Sequence, residues 1–229
     1  MTLATAETAQ ASDLHATARF NMVESQIRTN KVVDPALLAA LSRLPRQIFV
    51  PAELAGVAYV DKSLRIAPGR YLLEPLAMAR LLQEATISPS DKVLVIGAGT
   101  GYSAAVVAGL AASVAAVESD AGLADAARSN LAALAVANAV VHTGPLEQGH
   151  AASGPYDVIL IDGMIAELPK EIAGQLADQG RLVTIQAQEG RTGAGMLYRK
   201  LGGSVSGRVL FDTVAPYLPG FEPRHAFAL

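Results

Sequence analysis

Apolar positions follow three different patterns along the chain. From Thr17 to Leu54 they recur at helical spacing, with Phe20, Val23 and Ile27 on one stripe and Leu37, Leu38, Leu41 and Leu44 on a second. Asp34 followed by Pro35 predicts an N-cap and a first helical residue. The second stripe ends at Leu44-Pro45, and Phe49-Val50-Pro51 reads as an extended exit. Periodicity is weak from Val57 to Glu74, where Pro68-Gly69 marks a turn, and becomes helical again from Leu76 to Ala85.

The middle of the chain alternates short apolar runs with Ala-rich helical stretches. Lys92–Ile96, Ser113–Val117, Ala139–His142, Asp157–Ile161 and Gly180–Ile185 read as buried strands. Helices are expected between them at Tyr102–Leu110, Ala121–Leu134 and Glu167–Leu176. Continuous Val/Ile/Leu strands alternating with helices predict a parallel sheet covered on both faces, wound by right-handed crossovers. After Gln188 the pattern changes. Met196–Leu201 and Ser204–Thr213 read as two strands joined at Gly202-Gly203, closing the far edge of the sheet as an antiparallel pair. Phe227 and Leu229 can anchor the tail. The expected fold is α/β, a doubly wound, mostly parallel Rossmann-like sheet with an antiparallel C-terminal edge and an N-terminal helical extension. Residues 1–15 read as a flexible lead and 16–229 as one domain, divided into an extension (16–75), a core (76–188) and C-terminal strands and tail (189–229).

Composition narrows the chemistry. A net charge of −3, with no basic stripe, argues against a surface built for a phosphate backbone, so no nucleic-acid partner is expected. The absence of cysteine removes disulfides, thiolate-bound zinc and thiol nucleophiles together. Residues 1–15 are rich in Ala and Thr and lack Lys and Arg, unlike a secretory or transit segment. No apolar run approaches the ~18 residues that a membrane helix needs. These features predict a cytoplasmic protein with no membrane partner; they say nothing of its oligomeric state.

The strongest chemical signal is VLVIGAGTGYSA, which places Gly97-Ala98-Gly99-Thr100-Gly101 between a buried strand and a helix. Glycines allow positive φ and close approach of a ligand to the backbone. The plainer reading is a tight strand-to-helix turn. Two features favour a ligand without a phosphate, and S-adenosylmethionine is the expected one. Tyr102 stands where a dinucleotide motif requires its last glycine, so the loop is poorly made for a pyrophosphate. Glu118, about 20 residues further on, closes the second strand, where a carboxylate can accept both ribose hydroxyls. Its alternative role is that of a helix-start acid beside Asp120.

The chain resembles the protein-L-isoaspartate (D-aspartate) O-methyltransferase family, whose members methylate the α-carboxylate of isomerised aspartyl residues. The resemblance runs from Arg19 to Gly220 and is most specific in MVESQIRTNKVVDPALLAALSRLPRQIFVP, Met22 to Pro51. The glycine loop, Glu118, DVILID (Asp157–Asp162) and the segment from Phe211 to Gly220 fall in family order. It implies a class I methyltransferase fold, S-adenosylmethionine as cofactor, cofactor contacts at Gly97–Gly101, Glu118, Gly144 and Asp162, and an isoaspartyl-bearing protein or peptide as partner. Two segments depart from the family. In GRYLLEPLAMAR (Gly69–Arg80), Leu73 holds the position of a serine near the methyl-transfer site and Glu74 follows it. Gly144-Pro145-Leu146 replaces a Gly-Asp-Gly whose Asp contacts the adenine amino group. They leave a second reading: a divergent paralogue that binds S-adenosylmethionine or S-adenosylhomocysteine without isoaspartyl activity, acting on another acceptor or as a sensor.

Other constellations carry less. Asp162, at a strand's carboxyl end, can face the cofactor amine or the substrate, or cap the turn at Gly163. No Asp-Asn pair accompanies it, so no metal is expected. His15, His142, His150 and His225 lack ligand spacing, and Ser103 is not in an esterase elbow. Arg28 and Lys31 read as a solvated helix face. No residue is assigned a catalytic role; Glu74 and Asp162 are the nearest candidates.

Overall fold

The computed structural model describes residues 13–189 and 192–223. Residues 13–21 are α-helical (α1), so residues 13–15 of the expected lead lie within a helix, while 1–12, Phe227 and Leu229 lie outside the described residues. The helix continues through a π-helical segment, Met22–Ile27, and a 3-10 turn, Arg28–Asn30. The wider π turn changes which side chains face inward. Met22, Val23 and Ile27 are buried, whereas Phe20, expected on the same stripe, is 65% exposed. Helix α2, Pro35–Arg43, starts as the sequence predicts: the Asp34 carboxylate accepts from the N–H groups of Ala36 at 2.8 Å and Leu37 at 3.1 Å.

The weakly periodic stretch folds into a hairpin, β1 (Leu64–Ala67) and β2 (Arg70–Leu72), around Pro68-Gly69. Its strands are too short to display an alternation that could be read in advance. The hairpin forms a two-stranded sheet separate from the main one. Helix α3, Pro75–Ala85, follows it.

Among the described residues, seven strands make the main sheet, in the order β5-β4-β3-β6-β7-β8-β9. Parallel β3 (Lys92–Ile96), β4 (Ser113–Glu118), β5 (Ala139–Thr143), β6 (Tyr156–Ile165) and β7 (Leu176–Gln186) form the wound part. β8 (Ala194–Leu201) and β9 (Ser204–Asp212) add the antiparallel edge. Helices α4 (Tyr102–Ala108), α5 (Ala121–Ala133) and α6 (Lys170–Gly174) connect them. α6 is shorter than expected because Leu176 already pairs with Tyr156 in the sheet. β6 does not stop at Asp162; it runs to Ile165 through a register shift between Leu160 and Met164.

Alternation along β3 divides the core. Val93 and Val95 join the layer that holds the N-terminal helices and α3 to α5, while Leu94 and Ile96 face Ile159, Ile161 and Ile172. The chain winds from β3 outward through β4 and β5, then returns to the other side of β3 with β6. That reversal leaves a crevice at the carboxyl ends of β3, β4 and β6, where open α/β sheets bind ligands. Among the described residues, no helix is long and apolar enough to cross a membrane.

Candidate cofactor and methyl-transfer site

Gly97, Gly99 and Gly101 all adopt positive φ, at 84°, 55° and 98°. They serve two purposes. A Cβ on Gly101 would lie 3.2 Å from the Cα of Ala127, so this glycine lets α4 start against α5. Gly97 and Gly99 instead face the crevice, where a Cβ would meet Leu218 Cδ1 and Ile66 Cδ1, each at 2.8 Å. The loop is stitched to its surroundings. The Gly97 and Ala98 N–H groups donate to the Val117 carbonyl at 2.9 and 3.0 Å. The Thr100 hydroxyl donates to the Phe49 carbonyl at 2.6 Å, and the Thr100 carbonyl accepts from Asn130 at 2.9 Å.

Glu118 ends β4 and is fully buried. Its Oε1 accepts from the N–H groups of Ser119 at 2.9 Å and Asp120 at 3.1 Å. Oε2 accepts from Gly99 N–H at 2.7 Å and pairs with the Arg70 guanidinium. The helix-start role falls to Asp120, whose carboxylate caps α5 through Leu123 N–H at 2.9 Å. Glu118 is thereby free of that role and joins the glycine loop directly. Arg70 escaped sequence reasoning, because a single Arg after a turn carries no sign of burial, yet it is only 4% exposed.

Asp162 lies beside the register shift of β6. Burial pushes its carboxyl up to about 6, against the opposing pull of the Ser103 hydroxyl and the Arg70 and Arg46 guanidiniums. Among the described residues, Asp162 Oδ1 is buried without a hydrogen-bond partner. Asp162 shares a cavity of about 10 Å³ with Arg70, Leu73, Gly163, Tyr217 and Leu218. Leu73 is buried there, and its carbonyl accepts from Arg46. Glu74 does not line that cavity. It accepts from the Thr213 hydroxyl at 3.1 Å, and its carboxyl is raised by burial and by Asp61.

Gly144 N–H donates to the Glu118 carbonyl at 3.0 Å, which brings the end of β5 to the same crevice. Pro145 then leads into a 3-10 turn, Leu146–Gln148, with Leu146 buried. Gly97–Gly101, Glu118, Gly144 and Asp162 thus converge on one edge of the sheet. His142 and His150 stack with ring centroids 3.7 Å apart, His15 lies beside Tyr59, and His225 is outside the described residues. Among the described residues, no group of three or more potential ligands can hold a metal ion. Arg28 is tied to Glu24 by an exposed ion pair at 2.9 Å.

The family model described as protein-L-isoaspartate(D-aspartate) O-methyltransferase (PCMT) matches residues 18–217. A protein-L-isoaspartate O-methyltransferase of Methanoculleus marisnigri is 41% identical over 165 residues, covering 72% of this chain and 75% of its own length. One of Methylorubrum populi is 40% identical over 166 residues, covering 72% and 78%. A solved protein-L-isoaspartate O-methyltransferase shares the fold with a TM-score of 0.75 at 23% identity, covering 90% of this chain and 66% of that one. The fold is also that of a putative Plasmodium falciparum protein-L-isoaspartate O-methyltransferase solved with S-adenosyl-L-homocysteine (TM-score 0.74, 18% identity, 89% and 97% covered).

Proposed function

The chain belongs to the protein-L-isoaspartate (D-aspartate) O-methyltransferase family, and from that premise we propose that it transfers the methyl group of S-adenosylmethionine to a carboxylate of a damaged aspartyl residue in a protein or peptide. The observation that carries this reading is the direct bond between the glycine loop and the strand-end acid, Gly99 N–H to Glu118 at 2.7 Å, in a chain of this family.

The residues present fit the cofactor chemically. Gly97 and Gly99 form a floor that a Cβ would fill. Glu118, held by three backbone N–H groups, offers carboxylate oxygens to ribose hydroxyls. Asp162 Oδ1 is an unpartnered acceptor suited to an ammonium. Ala98, Thr100 and Gly101 shape the loop, and Gly144 closes the crevice beside Glu118. When bound, S-adenosylmethionine supplies an electrophilic methyl group on a sulfonium. A carboxylate acceptor is ionised near neutral pH, so the chain need not provide a general base. Its own residues orient the partners and exclude water, a contribution of roughly 7–11 kcal/mol in favourable cases. We read residues 16–229 as the single unit that does this, working in the cytoplasm.

Leu73 and Pro145 favour a second reading, in which the cofactor binds but isoaspartyl residues are not turned over. Incubation with radiolabelled S-adenosylmethionine and matched isoaspartyl and aspartyl peptides separates the two. Base-labile label on the isoaspartyl peptide alone is the expected result. No label, with S-adenosylhomocysteine still bound by calorimetry, would overturn the first reading and leave the second.

A further inference from the structure

Three side chains stand on the residues assigned above to the cofactor. Arg70 pairs with Glu118 Oε2. Ile66, from the same hairpin, lies over Gly99, and Leu218 lies over both Gly97 and Gly163. Only about 10 Å³ remains in this part of the crevice, against the several hundred that ligand pockets usually offer. Between the hairpin and the Leu218 segment this leaves room for about one water molecule.

We propose that the chain gates its own cofactor site: Arg70 takes the place of the ribose on Glu118, and the β1–β2 hairpin must withdraw before the cofactor enters. This rests on the cofactor reading given above. The construction suits a gate. Glu118 keeps three backbone donors, Gly99, Ser119 and Asp120, when Arg70 leaves, so its carboxylate stays aimed at the crevice. The hairpin is a separate two-stranded sheet, an element that is marginal without the packing beneath it. Arg46 holds its exit by bonding the Leu73 carbonyl, which gives the movement a fixed pivot. Leu218 is held differently, through its N–H to the Met164 carbonyl at 2.9 Å, so the C-terminal segment forms the opposite jaw.

A site that is competent only in its open fraction binds with an affinity reduced by that fraction. The gate therefore imposes opposite signs on one substitution. Arg70→Gln should lower the melting temperature of the free full-length protein, because a buried ion pair is lost. The same variant should bind S-adenosylhomocysteine at least about tenfold more tightly by calorimetry. A merely structural Arg70 would give lower stability with equal or weaker binding, and that result overturns the gate. Association kinetics provide a second measurement on the unaltered protein. Its observed rate should level off at high ligand concentration as opening becomes limiting; a rate strictly proportional to concentration overturns the proposal even if the variant does not fold. Equal affinities for wild type and Arg70→Gln remove the gate and leave the cofactor reading intact, whereas no binding by either removes both.

Discussion

The guanidinium carbon of Arg46 lies 4.6 Å from the ring centroid of Tyr102. From there its Nε donates to the Ala58 carbonyl at 2.7 Å and its Nη2 to the Leu73 carbonyl. One buried side chain thus ties the N-terminal extension, the hairpin exit and α4 together. A lysine keeps the charge but cannot stack on the ring and reach both carbonyls at once. Arg46→Lys should therefore destabilise the protein by about 2–4 kcal/mol, since buried carbonyls would be left unsatisfied. Urea unfolding measures this; a loss below about 0.5 kcal/mol would mean that the three segments are held by packing alone.

Gly99 and Gly101 occupy the same loop, both at positive φ (55° and 98°), and their neighbours differ. At Gly99 an added methyl meets the far end of Ile66, which can rotate away; at Gly101 it meets the backbone of Ala127 at 3.2 Å. Gly101→Ala should cost about 2–3 kcal/mol, above the ~1 kcal/mol of a left-handed alanine alone, and Gly99→Ala only about 1. The order of their denaturation midpoints is the check, and a reversed order would contradict this account of the loop.

How much of this was legible in advance depended on the range of the interactions. Local signals read well: the Asp34-Pro35 cap, the apolar runs of the parallel strands, and the glycine loop with Glu118 all appear where the pattern placed them. What failed depended on geometry between distant segments. Phe20 turns outward because a π-helical turn shifts the stripe, and α6 is cut short by sheet pairing at Leu176. The partnership of Arg70 with Glu118 could not be read from either residue's surroundings, because it exists only once the hairpin lies over the glycine loop.

Asp162 should leave a mark on the pH dependence of stability. Its carboxyl titrates at about 6 in the folded chain and near 3.8 when unfolded, so the folded state holds the proton more tightly. Stability from this group is present below the unfolded value and is lost as pH rises through about 6. Asp162→Asn removes that slope. Between about pH 4 and pH 7, wild type should lose about 1–3 kcal/mol relative to the variant. Parallel stability profiles for the two proteins would show that Asp162 is already ionised throughout.

Leu73 offers the sharpest test of what selects the methyl acceptor. Its side chain is 2% exposed, and it shares the small cavity with Asp162 and Tyr217 while Arg46 fixes its backbone. Leu73→Ser therefore changes the cavity without moving the chain that carries it. The lost isobutyl group should cost about 2–4 kcal/mol of stability, as for other buried leucines. The gained hydroxyl can donate to a carboxylate, an interaction of about 1.5–3 kcal/mol when one partner is charged. If it is stronger in the transition state than in the ground state, kcat rises; if it acts equally on both, only KM falls. In either case kcat/KM for an isoaspartyl peptide should rise about tenfold or more above wild type, below the denaturation temperature of the variant. An unchanged or lower kcat/KM, with S-adenosylhomocysteine affinity preserved, would place the acceptor carboxylate elsewhere and release Leu73 from any part in choosing it.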